Sequence, residues 1–158
     1  SGMHSVQPDL GALVVWKLLG KKGSIQFVNG MAANDPVSTL QIWKFVIDRY
    51  PTTSGTAVFF NSRDDRPLRT KQMLELTFEE IKPEYFIIRG DKIDTKVRRL
   101  LHHSPDTEVI IFSLNESIDN VSESILSLPD DVLVFAIGNQ VGTGQEILQK
   151  LSESRDND

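Results

Sequence analysis

A chain of 158 residues, 39% hydrophobic and 25% charged, is long enough to bury a sizeable core in one domain. Its net charge of -5 argues against a broad nucleic-acid surface, because phosphate binding needs a concentrated basic face. Without cysteine there is no disulfide framework, no thiolate zinc site and no cysteine nucleophile.

In chain order, Ser1-Gly2-Met3 reads as an expression scar, residues 4–151 as a single domain, and residues 152–158 as a polar tail expected to fray. Runs rich in Val, Ile and Phe predict strands over 12–18, 24–28, 56–60, 85–89, 108–114 and 132–137. Only Leu19-Gly-Lys-Lys-Gly23 joins the first two, a hairpin length, so that pair is expected to be antiparallel. Helical spacing then predicts helices over 36–50, about 68–82, about 93–102, about 118–128 and 142–151. The first of these opens with Asp35 as N-cap and Pro36 in the first turn, so amides and the positive dipole end stand just beyond a strand. Strand and helix in alternation require right-handed crossovers and a three-layer α/β fold, with a six-stranded, mostly parallel sheet and one antiparallel edge strand. The runs 57–60 and 132–137, apolar throughout, suit central strands buried on both faces. No apolar stretch approaches the ~20 residues needed to span a bilayer.

In such a sheet, the loops leaving the carboxyl ends of the parallel strands converge on one edge, and chemistry is sought there. Three loops stand out. Asn29-Gly-Met-Ala-Ala-Asn34-Asp35 precedes the first helix. The second, from Asn61 to Thr70, holds Arg63, Arg66 and Arg69 with Asp64 and Asp65 between them. Such arginines either present planar donor forks to a phosphate or carboxylate, steadied by the aspartates, or form a solvated salt-bridge cluster. The third loop, from Gly138 and Asn139 to Gly142 and Gly144, lets backbone amides approach a ligand closely or simply makes a turn. Neither this loop nor Gly20-Lys-Lys-Gly23-Ser24 has the spacing of a phosphate loop. His102 and His103 diverge as neighbours at a helix end, Arg98 and Arg99 read as a solvated face, and no metal site is predicted.

The residues of these loops carry a family resemblance. The stretch from Phe27 through Asn29, Asn34-Asp35-Pro36 and Ser38-Thr39-Leu40 to Trp43 resembles the carboxy-terminal domain of the ligase subunit of poly-γ-glutamate synthases. That group is a capsule-forming branch of the Mur ligase and folylpolyglutamate synthetase superfamily, whose carboxy-terminal domains are Rossmann-like. Its Asn-x-Arg-x-Asp-Arg-x-x-Arg-Thr pattern recurs as Asn61, Arg63, Asp65, Arg66, Arg69 and Thr70, and its final Gly-Asn-x-x-Gly as Gly138, Asn139 and Gly142. With Pro8-Asp9-x-Gly11-Ala12, the likeness runs nearly the whole chain.

The resemblance implies an ATP-dependent, magnesium-requiring ligase of the bacterial capsule: a terminal carboxylate is phosphorylated, and the amine of an incoming glutamate attacks the acyl phosphate. The phosphate loop and magnesium ligands would lie on a preceding ATPase domain, so this chain would be the lid and inactive alone. By similarity, Asn29, Asn34, Asp35 and Asn61 would face the nucleotide, Arg63, Asp65, Arg66 and Arg69 would serve the reaction, and Gly138, Asn139 and Gly142 would line the glutamate site. Expected partners are glutamate or poly-γ-glutamate, the ATPase domain and membrane subunits of the synthase, at the cytoplasmic side of the membrane, this domain itself being soluble. One departure counts against activity: related ligases carry an arginine where this chain reads Leu13-Val14-Val15. Either Arg63 or Arg66 substitutes, or this is a degenerate domain that docks on partner subunits or acidic polymer.

Overall fold

The computed structural model describes residues 13–157 apart from 34, 53 and 64. Asn34 and Asp64, the Pro8-Asp9-x-Gly11-Ala12 segment and the proposed scar therefore lie outside the described residues.

Strand β1 (Val14–Leu19) turns back into β2 (Ser24–Asn29), followed by α1 (Pro36–Arg49), β3 (Thr56–Asn61), α2 (Pro67–Leu76), β4 (Tyr85–Arg89), α3 (Asp94–Leu100), β5 (Glu108–Phe112), α4 (Ile118–Leu126), β6 (Leu133–Gly138) and α5 (Thr143–Ser152). They form a six-stranded sheet in the order β1-β2-β6-β3-β4-β5. Only the β1–β2 pair is antiparallel, as the short connection requires. Every residue of β3, and every residue of β6 before Gly138, is buried, the expected state of central strands covered on both faces.

Two apolar layers flank the sheet. On one face Trp43 and Val46 of α1, Met73 and Leu74 of α2 and Val97 of α3 pack on Val58, Phe60, Phe86 and Phe135. On the other, Val121 and Ile125 of α4 with Ile147 and Leu151 of α5 pack on Phe27, Phe59, Ile87 and Val134. The alternation Val58/Phe59/Phe60 sends successive side chains to opposite layers, so each apolar strand serves two cores.

The predicted helix over 68–82 is divided. After Leu76 the chain widens into a π turn, Thr77–Ile81, which closes by the Lys82 amide donating to the Thr77 carbonyl (2.8 Å), with Lys82 left-handed at φ 48. Likewise α3 tightens into a 3₁₀ turn, Leu101–His103. Both ends show local competition between hydrogen-bond registers, which apolar spacing does not encode.

The tail also differs from the expectation of fraying. The Leu19 amide donates to the Ser154 carbonyl (2.7 Å), the Asp156 amide donates to the Lys17 carbonyl (2.9 Å), and Arg155 pairs with Leu18 as an antiparallel bridge. Arg155 also lies over the Trp16 ring at 5.1 Å, and Lys17 pairs with Asp156 at 3.3 Å. The free edge of β1 is thereby covered, which satisfies backbone groups that would otherwise face solvent unpaired.

Candidate functional site at the carboxyl edge of the sheet

Because β2, β6 and β3 are neighbours and parallel, their carboxyl ends must lie side by side. Asn29 pairs in register with Ala136, and Gly138 with Asn61. The three singled-out loops therefore leave the sheet from adjacent strands, at the edge where open α/β sheets hold ligands. Between them lies a cleft of about 640 Å³, lined by Met31, Ala32 and Ala33 from the first loop, by Asn61, Arg63, Arg66, Arg69 and Thr70 from the second, and by Gly138, Asn139 and Val141 from the third.

The first loop is built around two side chains that serve the backbone. Asn29 Oδ1 accepts from the Met31 amide (3.0 Å), an Asx-type turn at the end of β2. Asp35 caps α1: Oδ1 accepts from the Ser38 amide (2.8 Å) and Oδ2 from the Ser38 hydroxyl (2.9 Å). This alters the expectation for the start of α1. The amides offered there to an external anion are taken by the chain's own carboxylate, and neither Asn29 nor Asp35 lines the cleft.

The Ser38 amide bond holds the Asp35 carboxyl below its ordinary 3.8, against the opposing effect of burial, with Arg69 adding a favourable charge. A depressed folded-state pKa means that the contribution is present above the unfolded value and lost as pH falls through the folded one. Replacing Asp35 with Ala is expected to cost about 1 kcal/mol at neutral pH. Replacing it with Asn keeps a capping oxygen but removes the titration. The stability difference between wild type and Asp35→Asn, followed by thermal unfolding, should therefore shift as pH falls below 3.8. A difference independent of pH would show that the carboxylate is not the cap.

The second loop divides its arginines between an exposed ion pair and the lining of the cleft. Arg63 forms a bidentate pair with Asp65, Nε to Oδ1 at 2.9 Å and Nη2 to Oδ2 at 2.7 Å, on an exposed stretch. That bond is the main reason the Asp65 carboxyl is lowered. The Thr70 hydroxyl donates to the Arg63 carbonyl (3.2 Å), tying the loop to the first turn of α2. Arg66 and Arg69 line the cleft beside Arg63, and among the described residues neither of these two enters a salt bridge.

In the third loop, Asn139 bends the chain through paired contacts with Val141: its Nδ2 donates to the carbonyl and its Oδ1 accepts from the amide, both at 3.3 Å. Gly142, at φ 70, precedes α5 without a side-chain cap, and α2 likewise starts after Arg66 with none. Among the described residues, the starts of α2 and α5, like that of α3, carry no side-chain cap, whereas that of α1 does. Gly142 itself does not line the cleft, although its neighbour Val141 does.

Arg89, at the end of β4, was not anticipated. It lines a second lobe of about 370 Å³ together with Asn61, Arg63, Asp65, Asn139 and Thr143. The lobes share Asn61, Arg63, Asn139 and Val141 and so are continuous. Burial pulls the Arg89 pKa down, opposed by the charge of Glu146 on α5. Its signal in the sequence was position alone: a cation ending the apolar run of 85–88, one strand over from Asn61.

Among the described residues, no three His, Asp or Glu side chains gather as a metal site, and no helix is long and apolar enough to cross a membrane. The donor set of the cleft, the guanidinium groups of Arg63, Arg66 and Arg69 with carboxamides and helix-start amides, suits phosphate or carboxylate oxygens. It offers no carboxylate cage for magnesium.

Comparison with known proteins places the chain in a family. The chain is 39% identical over 154 residues to the capsule biosynthesis protein CapB of Bacillus anthracis, covering 98% of this chain and 33% of that protein. It is 28% identical over 152 residues to the PGA synthase CapB of Bacillus subtilis strain 168, covering 96% of this chain and 39% of that one. The chain thus spans between a third and two fifths of the length of these relatives. Residues 15–154, which include every strand but the first residue of β1 and all three cleft loops, match the model of the poly-gamma-glutamate synthase CapB C-terminal domain, and the chain belongs to that family.

Proposed function

We propose that this chain is the lid of an ATP-dependent amide ligase that adds glutamate to a growing poly-γ-glutamate chain. The observation that carries the reading is the single cleft into which Arg66, Arg69, Asn61 and Asn139 converge from two separate loops. Its chemistry is that of a lid. Guanidinium groups supply charge to phosphate and carboxylate oxygens, and closure excludes water that would hydrolyse an activated acyl group. ATP would bring the phosphoryl group that activates the carboxylate. Arg66 and Arg69 would hold its oxygens, while magnesium would depend on ligands outside the described residues of this chain.

The rim supports closure against another domain. Val37 in the first turn of α1, Leu68 in that of α2 and Val141 in the β6–α5 loop are exposed at this edge, with Val141 at 73%. Apolar side chains around a charged cleft are what a domain contact buries. In a protein of the relatives' length, an ATPase domain would occupy that face, with glutamate or poly-γ-glutamate and membrane subunits of the synthase as further partners, at the cytoplasmic side of the membrane. The test is ATP hydrolysis by the full-length protein with and without glutamate. Turnover that depends on glutamate supports the reading, and hydrolysis indifferent to it rejects it. The isolated chain, lacking a phosphate loop, should be silent.

Position 14 separates this from a degenerate docking domain. Val14 starts β1 directly opposite Asn29 and is 41% exposed, so an arginine placed there would stand at the mouth of the first loop. In an active lid, Val14→Arg should alter glutamate-dependent turnover by less than about tenfold, because the cleft arginines already supply the charge. A rise from no activity to measurable activity would favour the degenerate reading.

A further inference from the structure

We propose that Arg89 is a positioning residue of the cleft: by orienting the Asn61 carboxamide, it fixes the wall formed by Asn139–Val141. Arg89 Nη1 donates to Asn61 Oδ1 (3.2 Å), and Nη2 donates to the Leu114 carbonyl (3.0 Å). Asn61 Nδ2 in turn donates to the Asn139 carbonyl (2.8 Å), while the Asn139 amide donates to the Asn61 carbonyl (2.8 Å). The ends of β3, β4 and β6 and the turn after β5 are thereby joined by one line of contacts.

The chemistry of the partners makes this line directional. A carboxamide presents two ends of nearly equal shape, and either can be turned toward a given neighbour. A guanidinium only donates and a carbonyl only accepts, so with Arg89 on one side and the Asn139 carbonyl on the other, a single orientation of Asn61 satisfies both. Asn61 is 1% exposed, so an orphaned Oδ1 would carry a full desolvation cost. Without the guanidinium, nothing fixes which end of the Asn61 carboxamide faces the Asn139 carbonyl, and the bond to Asn139 weakens.

Stability alone does not account for Arg89. Its Nε is buried with no hydrogen-bond partner among the described residues, a cost that an apolar side chain at the end of β4 would avoid. Its two paired nitrogens both go to groups at the edge of the cleft. Nor can a lysine reproduce the arrangement fully, since one ammonium reaches the Asn61 oxygen or the Leu114 carbonyl but lacks the fork that takes both.

Hydrogen exchange in this chain tests the positioning, and kinetics of the full-length protein test its use, which rests on the ligase reading. In Arg89→Met, protection of the Asn139 amide should fall about tenfold more than that of Phe59 and Phe135 at strand centres, a difference of one broken local bond. Arg89→Lys should restore most of it by donating to Asn61 Oδ1. Asn61→Asp, which keeps the Arg89 partner but sets an oxygen against the Asn139 carbonyl, should loosen the same loop. In the full-length protein, Arg89→Met should raise KM for glutamate about tenfold while kcat changes less. Protection lost evenly through the sheet, or no rescue by lysine, overturns the positioning role and leaves Arg89 as a structural residue. A selectively loosened loop with unchanged glutamate kinetics upholds the positioning role and counts against the ligase reading instead.

Discussion

Arg66→Ala in the full-length protein is expected to lower glutamate-dependent ATP hydrolysis by about 10²- to 10³-fold, the cost of removing one preorganised donor from developing charge. Arg66 lines the cleft, forms no salt bridge among the described residues, and stands immediately before the uncapped first turn of α2. Its guanidinium is therefore not committed to the fold, unlike Arg63, whose fork is held by Asp65. Stability should change by less than about 0.5 kcal/mol, as for surface substitutions that break no buried contact. Arg66→Lys keeps the charge without the planar fork and should fall between the two. Arg98→Ala, on the exposed side of α3, is the matched control and should be silent. Turnover like wild type in Arg66→Ala would remove Arg66 from the proposed machinery, while an equal loss in Arg98→Ala would assign the effect to net charge.

Most of the architecture was legible because it depends on local pattern and connection length. The apolar run 57–60 required a doubly buried strand, the four residues between β1 and β2 required a hairpin, and Asp35-Pro36 marked the start of a helix. The insertion of β6 between β2 and β3 follows from long-range pairing that local pattern does not carry. The loops bearing Arg66 and Asn139 become neighbours through it. Asp35 illustrates the opposite limit: its capping role was legible, but the same role leaves its carboxylate spent on Ser38. Asn29 is likewise occupied by the turn to Met31. Residues chosen for the ends of strands thus divided into those that build the edge and those that face the cleft, a distinction that only side-chain geometry makes. Arg89 escaped notice because an arginine ending an apolar strand is ordinarily taken for a solvated terminus. The pairing of the tail with β1 uses backbone groups, which its polar side chains did not signal.

Gly138→Ala should lower stability by about 3–5 kcal/mol and disrupt the wall of the cleft. Gly138 ends β6 at φ 100, a conformation that costs an alanine about 1–3 kcal/mol on its own. An added Cβ would also lie 2.3 Å from the Asn61 carbonyl oxygen and 2.7 Å from the Phe60 ring. The first of these is backbone, so no rotamer change relieves it: β3 and β6 must part at the register pair Gly138–Asn61. That separation breaks the bond from the Asn139 amide to the Asn61 carbonyl and displaces the Asn61 side chain that holds Asn139 in return. Gly142→Ala provides the contrast. It has a positive φ of 70, but nothing lies within 4 Å of the added methyl, so only the backbone cost of about 1 kcal/mol should appear. Chemical denaturation of the two variants separates the effects, since backbone strain alone predicts similar losses and steric parting of the strands predicts that Gly138→Ala is worse by about 2 kcal/mol or more. Equal destabilisation would mean that the strand ends yield freely, and with them the rigid edge on which the cleft depends.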